Sequence, residues 1–262
     1  HIVGDAPDLV LHLGDYIYEY GVNERAIRRH NSPEIRTLSD YRARYALYHG
    51  DPQLQAAHAI APWLLTWDDH EVDNNYANLV GENEWESEEQ MHQRRAAAYQ
   101  AWWEHQPVRV TRAKSWADLT IRRRLEWGRM ATFHVLDTRQ YRDDQACGDN
   151  LRDVPCGDWG EMKRTMMGPE QEKWLDDGMG ASAARWQVLA NQTRIARLEE
   201  KVGEGQFRIV LPTPLGPGEY GILAVSPSDL AALSMSFFSC PARALANSAA
   251  VAVAFSRDCS WR

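Results

Sequence analysis

The stretch Leu11–Gly21, "LHLGDYIYEYG", decides the fold, because an apolar run ends there at a glycine and a carboxylate. The run from Asp8 to Leu13 is short and almost entirely apolar, which predicts a strand of a parallel sheet that is buried on both faces. The run stops at Gly14 and Asp15, and three tyrosines follow at alternate positions. A carboxylate placed beside several phenol rings at this turn therefore calls for a structural or functional explanation.

The composition of the chain is ordinary for a globular protein. Its 262 residues, 44% of them hydrophobic, are enough for one large domain or two small ones. The formal net charge of −8 argues against a nucleic-acid-binding surface and suits a protein whose carboxylates hold cations. No apolar run reaches the roughly 18 residues that a membrane span needs.

Predicted strands alternate with predicted helices along the chain. Further strands are expected at 63–67, 119–127, 129–137 and 185–192, and the second and third of these form an antiparallel pair that turns at Gly128. Helices are expected at 40–50 with Ser39 as the cap, at 52–61, at 88–105, and at 168–179 with Pro169 near the first position.

Four of these strands stop at polar residues. The stops are Asp15, Asp68 to His70, Asp137 to Arg139, and Asn191. Ligands of open α/β sheets bind outside the carboxyl ends of the strands. Four such stops in one chain predict a functional site at a sheet edge.

Asp15 and Tyr18 are three residues apart, so one turn can aim both side chains at one point. Both are hard oxygen donors. A phenol loses its proton near pH 10, and a trivalent cation such as Fe(III) can displace that proton. The alternative interpretation is a capping aspartate beside tyrosines that only pack.

The loop at 66–75, "TWDDHEVDNN", crowds like charges together. A bound cation would relieve the repulsion among its carboxylates, and His70 beside a metal-bound carboxylate is suited to protonating a leaving group. A solvated acidic loop is the alternative. A zincin site is excluded, because "HEVDN" lacks the second histidine of H-E-x-x-H.

Four motifs in this order resemble the PhoD-type alkaline phosphatases and phosphodiesterases, which belong to the wider calcineurin-like metallophosphatases. The motifs are "HLGDYIYEYG", "WDDHE", "FHVLDTRQYRDDQ" and "WQVLANQ", and the resemblance extends from about residue 8 to residue 206. It implies a layered β-sandwich flanked by helices, one Fe(III) with Ca²⁺ ions, and hydrolysis of a phosphate-ester substrate.

The resemblance also implies roles for individual residues. By position, Asp15 bridges the metals, Tyr18 supplies the iron phenolate, and Asp69 binds the second metal. The same reasoning makes Glu71 a calcium ligand, His70 the catalytic histidine that faces the phosphoryl group, and Arg139 a phosphate-binding residue.

Two parts of the family pattern are expected to be missing. The family's first strand would precede His1, and no histidine follows His134 to complete the iron site. We therefore expect an incomplete metallophosphatase core at 1–208 and an atypical charge-poor tail at 209–262. A non-catalytic module with a partial metal- or ligand-binding site is the alternative function.

Cys147 and Cys156 bracket a loop rich in turn-forming residues, "CGDNLRDVPC". The pair is expected to form a disulfide, which suits a secreted or periplasmic protein, with two reduced thiols as the alternative.

Overall fold

A computed structural model describes residues 1–146, 161, 163–193, 198–203, 206–210, 244–246 and 251–255, with only the backbone from residue 198 onward. The chain divides into two compact units. The first unit comprises 1–74, 81–121 and 225–262, and the second comprises 75–80 and 122–224. The Cys147–Cys156 loop and most of the tail lie outside the described residues, so the disulfide and the domain boundary at 208 stay predictions.

The first unit contains a four-stranded sheet in the order β2-β1-β9-β8. Its strands are β1 (Leu9–His12), β2 (Trp63–Leu65), β8 (Ala244–Ala246) and β9 (Val251–Phe255). β1 pairs with β2 in parallel and with β9 antiparallel, so it is a central strand. The prediction of a buried strand is confirmed, and β1 pairs with β2 in parallel, but the sheet is mixed rather than parallel because β9 is antiparallel. β2 ends at Leu65, two residues before the expected Trp67, because β1 ends at the paired His12.

The described part of the first unit contains four α-helices, and a capping side chain begins each of them except the first. They are α1 (Ile2–Asp5), α2 (Leu38–His49), α3 (Pro52–Ile60) and α4 (Glu88–His105). The expected cap Ser39 is wrong: Thr37 caps α2, because its hydroxyl accepts from the Asp40 backbone while the Asp40 carboxylate accepts from the Thr37 backbone. Asp51 caps α3, and Ser87 with Gln90 forms the same reciprocal cap on α4.

The second unit contains a three-stranded sheet in the order β3-β4-β5. Its elements are β3 (Arg123–Trp127), β4 (Ala131–Val135), α5 (Gly168–Ala181), β5 (Trp186–Ala190), and the separate pair β6 (Leu198–Gly203) and β7 (Gln206–Val210). β3 and β4 are antiparallel, and Gly128 between them has a φ of 55°, as the predicted turn requires. β4 and β5 are parallel.

Each unit has its own buried side chains. Aromatic rings fill the first unit: Trp67 is fully buried and stacks on Tyr99 with 3.9 Å between ring centres. In the second unit, Leu136 and Leu175 pack with two methionines.

No helix in the described part of the chain has the length and apolar character that crossing a bilayer requires.

Candidate metal centre

The turn after β1 has a backbone that few side chains tolerate. Gly14 has a φ of 110° and Asp15 a φ of 56°, so two successive residues lie in the left-handed region. A Cβ atom on Gly14 would lie 2.4 Å from the backbone nitrogen of Asp68 and 2.8 Å from the carbonyl carbon of Trp67. The glycine is therefore required because the two strand ends touch at this point.

The parallel pairing of β1 and β2 brings the two acidic turns together. Leu11 pairs with Leu64, so both strands deliver their carboxyl ends to one edge. Asp15, Asp69 and His70 each place one potential ligand atom so that all three atoms lie within 4.8 Å of one another. Both aspartates are buried. The two distant acidic segments of the sequence thus meet at one point.

Glu71 fastens these two turns to each other. Its Oε2 accepts from the backbone N–H of Asp15 at 3.1 Å and of Asp68 at 2.8 Å, and its Oε1 accepts from that of Tyr16 at 2.5 Å. The side chain is 1% exposed. The sequence predicted a calcium ligand at this position, whereas the observed contacts are those of a carboxylate that positions the backbone. The ligand role stays a prediction.

The Asp15 carboxylate is only half satisfied. Its Oδ2 accepts from the Tyr18 hydroxyl at 3.1 Å, while its buried Oδ1 has no hydrogen-bond partner among the described residues. Burial raises the pKa of Asp15, and the nearby carboxylates of Asp68 and Asp69 raise it further. A buried carboxylate in this state is stabilised by a cation.

His70 is held against this centre by Glu19, which the sequence reasoning missed. The Nδ1 atom of His70 lies 2.8 Å from Oε2 of Glu19, and the ring centre of Tyr18 lies 4.2 Å from that of His70. Burial disfavours the charged imidazole, but the hydrogen bond and charge of Glu19 outweigh this and raise the pKa of His70 to about 9. The alternation of Glu19 with Tyr18 and Tyr20 was the only available signal in the sequence.

Arg139 belongs to the second unit and lies four residues after the end of β4. Its backbone N–H donates to Oδ1 of Asp137 at 3.0 Å, and its side chain is 5% exposed. Its predicted role in holding phosphate stays a prediction.

A second acidic group lies near the first. Glu19, Asp73 and Glu82 also place one oxygen each within 4.8 Å of one another. Protein donors already serve this group: Asn74 donates to Glu19 at 2.9 Å, and Arg94 lies 2.9 Å from Asp73. These contacts indicate a network that stabilises the loop.

The match to a family of known proteins covers most of the chain. A family model described as PhoD-like phosphatase matches residues 1–229. The chain belongs to this family. The PhoD-like chain is 50% identical over 202 residues to a protein named alkaline phosphatase D from Bacillus subtilis (strain 168), a match that spans 75% of the chain and 34% of that relative.

A solved structure confirms the fold class. The structure titled "Structure of PhoD" matches with a TM-score of 0.72 and 47% sequence identity over 80% of this chain and 41% of the other. The chain therefore has the same mixed α/β, metallophosphatase-like fold as that solved structure. The chain spans well under half the length of both relatives.

Proposed function

We propose that this PhoD-like chain hydrolyses phosphate esters with metal ions held by Asp15, Asp69 and Tyr18. The observation that carries the proposal is the buried Oδ1 of Asp15, which has no hydrogen-bond partner among the described residues and lies in a group of ligand atoms within 4.8 Å of one another. Names of relatives support the same chemistry, since one is an alkaline phosphatase.

The donor set fits hard cations. Two carboxylates and a phenol are all oxygen donors, and a phenol selects a strongly polarising ion such as Fe(III). Carboxylate oxygens suit Ca²⁺. We propose Fe(III) beside Tyr18 and Ca²⁺ at the acidic loop, as the family resemblance implies.

The chain's own residues perform three tasks in this proposal. Glu71 holds the two turns in contact through the backbone amides, and Asp15 and Asp69 form the cation-binding centre. His70, oriented by its contact with Glu19, donates a proton to the leaving-group oxygen or a hydrogen bond to a phosphoryl oxygen. Bound metal ions supply the neutralisation of phosphate charge and the acidification of a water molecule.

Three further assignments belong to the proposal. The substrate is a phosphomonoester or phosphodiester, and Arg139 binds its oxygens as a guanidinium fork. The protein acts in a secreted or periplasmic compartment, where the Cys147–Cys156 disulfide is stable.

Metal analysis and turnover measured on the same samples test this function. Purified protein is assayed for bound iron and calcium, and for hydrolysis of p-nitrophenyl phosphate and bis-p-nitrophenyl phosphate. We expect Asp15→Asn and Asp69→Asn to lower hydrolysis at least about a hundredfold and to remove bound metal. The matched control is Asp177→Asn, on the exposed face of α5, which should change neither quantity.

Two results would contradict the proposal. Unchanged metal content and turnover in Asp15→Asn would show that the site is misassigned. Binding of the ester by the unmodified chain without turnover would instead support the non-catalytic module.

A further inference from the structure

A cavity of about 560 Å³ lies in the first unit, and its lining includes Tyr16 but none of Asp15, Asp69 and His70. Three histidines line it: His49, His58 and His105. Their rings are close, since the ring centre of His49 lies 6.2 Å from that of His58 and 6.1 Å from that of His105. Gln106 also lines the cavity.

Three helices direct their carboxyl ends toward these histidines. His49 is the last residue of α2, His105 is the last residue of α4, and His58 lies in the last turn of α3. Carbonyl groups at a helix carboxyl end carry partial negative charge, so three converging ends favour a cation. The one carboxylate in the lining, Glu104, is held by Arg42 at 2.6 Å and is not counted as a ligand.

Two of the three histidines are arranged as metal-binding imidazoles usually are, with one ring nitrogen anchored by a protein group. Nδ1 of His105 lies 2.8 Å from the carbonyl oxygen of Ala101, and Nε2 of His58 lies 2.8 Å from the Tyr16 hydroxyl. Metal-bound imidazoles typically use one nitrogen for such a contact and the other for the ion. The Nε2 atom of His49 is buried and has no hydrogen-bond partner in the part of the chain that the structure describes.

The amide of Gln106 is a second buried polar group of the cavity, besides Nε2 of His49. Gln106 is 6% exposed, and neither atom of its amide has a hydrogen-bond partner among the described residues. Such a buried amide is costly unless a ligand or a bound water satisfies it. Burial lowers the pKa of His49. Burial, and next the charge of His49, lower the pKa of His58 to about 4. Both rings are therefore neutral at pH 7, and each keeps a nitrogen lone pair that can bind a metal ion.

We propose that this cavity binds a divalent transition-metal ion of the zinc class through His49, His58 and His105. Two imidazoles bound to one ion at about 2.0–2.1 Å have ring centres about 5–6 Å apart. The ring centres of His58 and His105 lie 6.2 and 6.1 Å from that of His49, so the three rings must move closer together to bind one ion. Gln106 completes the site by holding a metal-bound water. The ion is separate from the Asp15 centre and joins the ends of α2, α3 and α4, and the site does not depend on the phosphatase proposal.

Zinc titration tests the site in a chain that lacks the first centre. In an Asp15→Asn, Asp69→Asn background, calorimetry with Zn²⁺ alone should show one bound ion, and zinc should raise the melting temperature. Adding His49→Gln or His105→Gln should weaken zinc binding by more than about a hundredfold. Removing a residue that only supports a ligand usually costs about 10- to 100-fold, so a larger loss identifies a direct ligand. Cobalt in place of zinc should give the visible absorption of a tetrahedral imidazole site.

His92→Gln, on α4 but outside the cavity, is the matched control and should bind zinc as the background does. Equal affinity in His49→Gln and His92→Gln, or no zinc binding by the background, would overturn the proposal. A second test needs no substitution. Diethyl pyrocarbonate, which modifies histidine side chains, is added to the unmodified chain with and without zinc, and mass spectrometry identifies the modified histidines. Zinc should protect the three cavity histidines and leave His92 reactive, and equal modification of all four would refute the site.

Discussion

The carboxyl edges of the two sheets differ in how completely their aspartates are satisfied. Asp137 follows β4 in the second unit, and its Oδ1 accepts from the backbone of Arg139 at 3.0 Å and of Gln140 at 2.9 Å. Its Oδ2 accepts from the Gln140 side chain at 3.2 Å. Asp15 follows β1 in the first unit with a φ of 56° and one oxygen that has no partner among the described residues.

The side chains that fasten each edge differ in charge. Glu71 ties the first edge with a carboxylate that accepts from backbone amides. Gln171 ties the second edge: its Oε1 accepts from the Asp137 backbone at 2.9 Å, and its Nε2 donates to the carbonyls of Asp137 and Met167. The sequence shows a polar residue at each strand end, but only the count of unmet acceptors separates a cation centre from a capped turn.

Alanine in place of the glycine at each turn should give the largest difference between the units. Gly14→Ala forces a Cβ to 2.4 Å from the Asp68 backbone, so the free energy of unfolding should fall by more than about 4 kcal/mol. Gly128→Ala places its Cβ in open space at a φ of 55° and should cost only about 1–2 kcal/mol. Urea unfolding followed by tryptophan fluorescence measures both. Equal losses would show that the two strand ends do not touch.

A charge swap between the two fastening side chains should give the next largest effect. In Glu71→Gln, an amide NH₂ group would meet backbone N–H donors, and the backbone donors left without an acceptor should cost about 3 kcal/mol. In Gln171→Glu, a carboxylate would face carbonyl oxygens, with a similar cost. The measurement is the urea midpoint of each variant, and the exposed change Glu172→Gln serves as a reference. No loss in Glu71→Gln would mean that Glu71 does not hold the edge as a carboxylate.

Much of the fold could be predicted because it follows from local patterns. The apolar run before Gly14 predicted a strand buried on both faces, and the helix at 88–105 was placed correctly because its pattern is long and a capping pair, Ser87 and Gln90, marks its start. The cap of α2 was missed because Thr37 and Ser39 are chemically similar, and only the reciprocal contact of Asp40 selects Thr37.

The site could be predicted less completely because its contacts join distant segments. Proximity of Asp15 and Asp69 followed from two strand ends at one sheet edge, a rule that needs no knowledge of side-chain geometry. The pairing of His70 with Glu19 and the amide contacts of Glu71 depend on where a turn aims its oxygens. Nothing in the spacing of the sequence encodes that direction.

Asparagine substitutions at the two aspartates should change stability in opposite directions in chelator-treated protein. Asp15→Asn removes a buried charge that lacks compensation, so the free energy of unfolding should rise by about 1 kcal/mol. Asp137→Asn turns an acceptor into a donor facing backbone N–H groups and should cost about 1–3 kcal/mol. Urea unfolding in EDTA measures both. If both variants lose stability equally, Asp15 is a satisfied cap like Asp137.

His12, the last residue of β1, should make the stability of the first unit depend on pH, with a smaller effect than the substitutions above. Burial, and next the charge of His58, lower the pKa of His12 from 6.5 to about 4, so the folded chain keeps this ring neutral while the unfolded chain protonates it. This contribution to stability is complete above pH 6.5 and is lost as the pH falls toward 4. His12→Phe keeps a ring beside Trp63 and should reduce the stability lost between pH 6.5 and about pH 5 by about 1.5 kcal/mol. Urea midpoints across this range, with His92→Phe as the control, measure the change; an unchanged slope in His12→Phe would show that the acid sensitivity arises elsewhere.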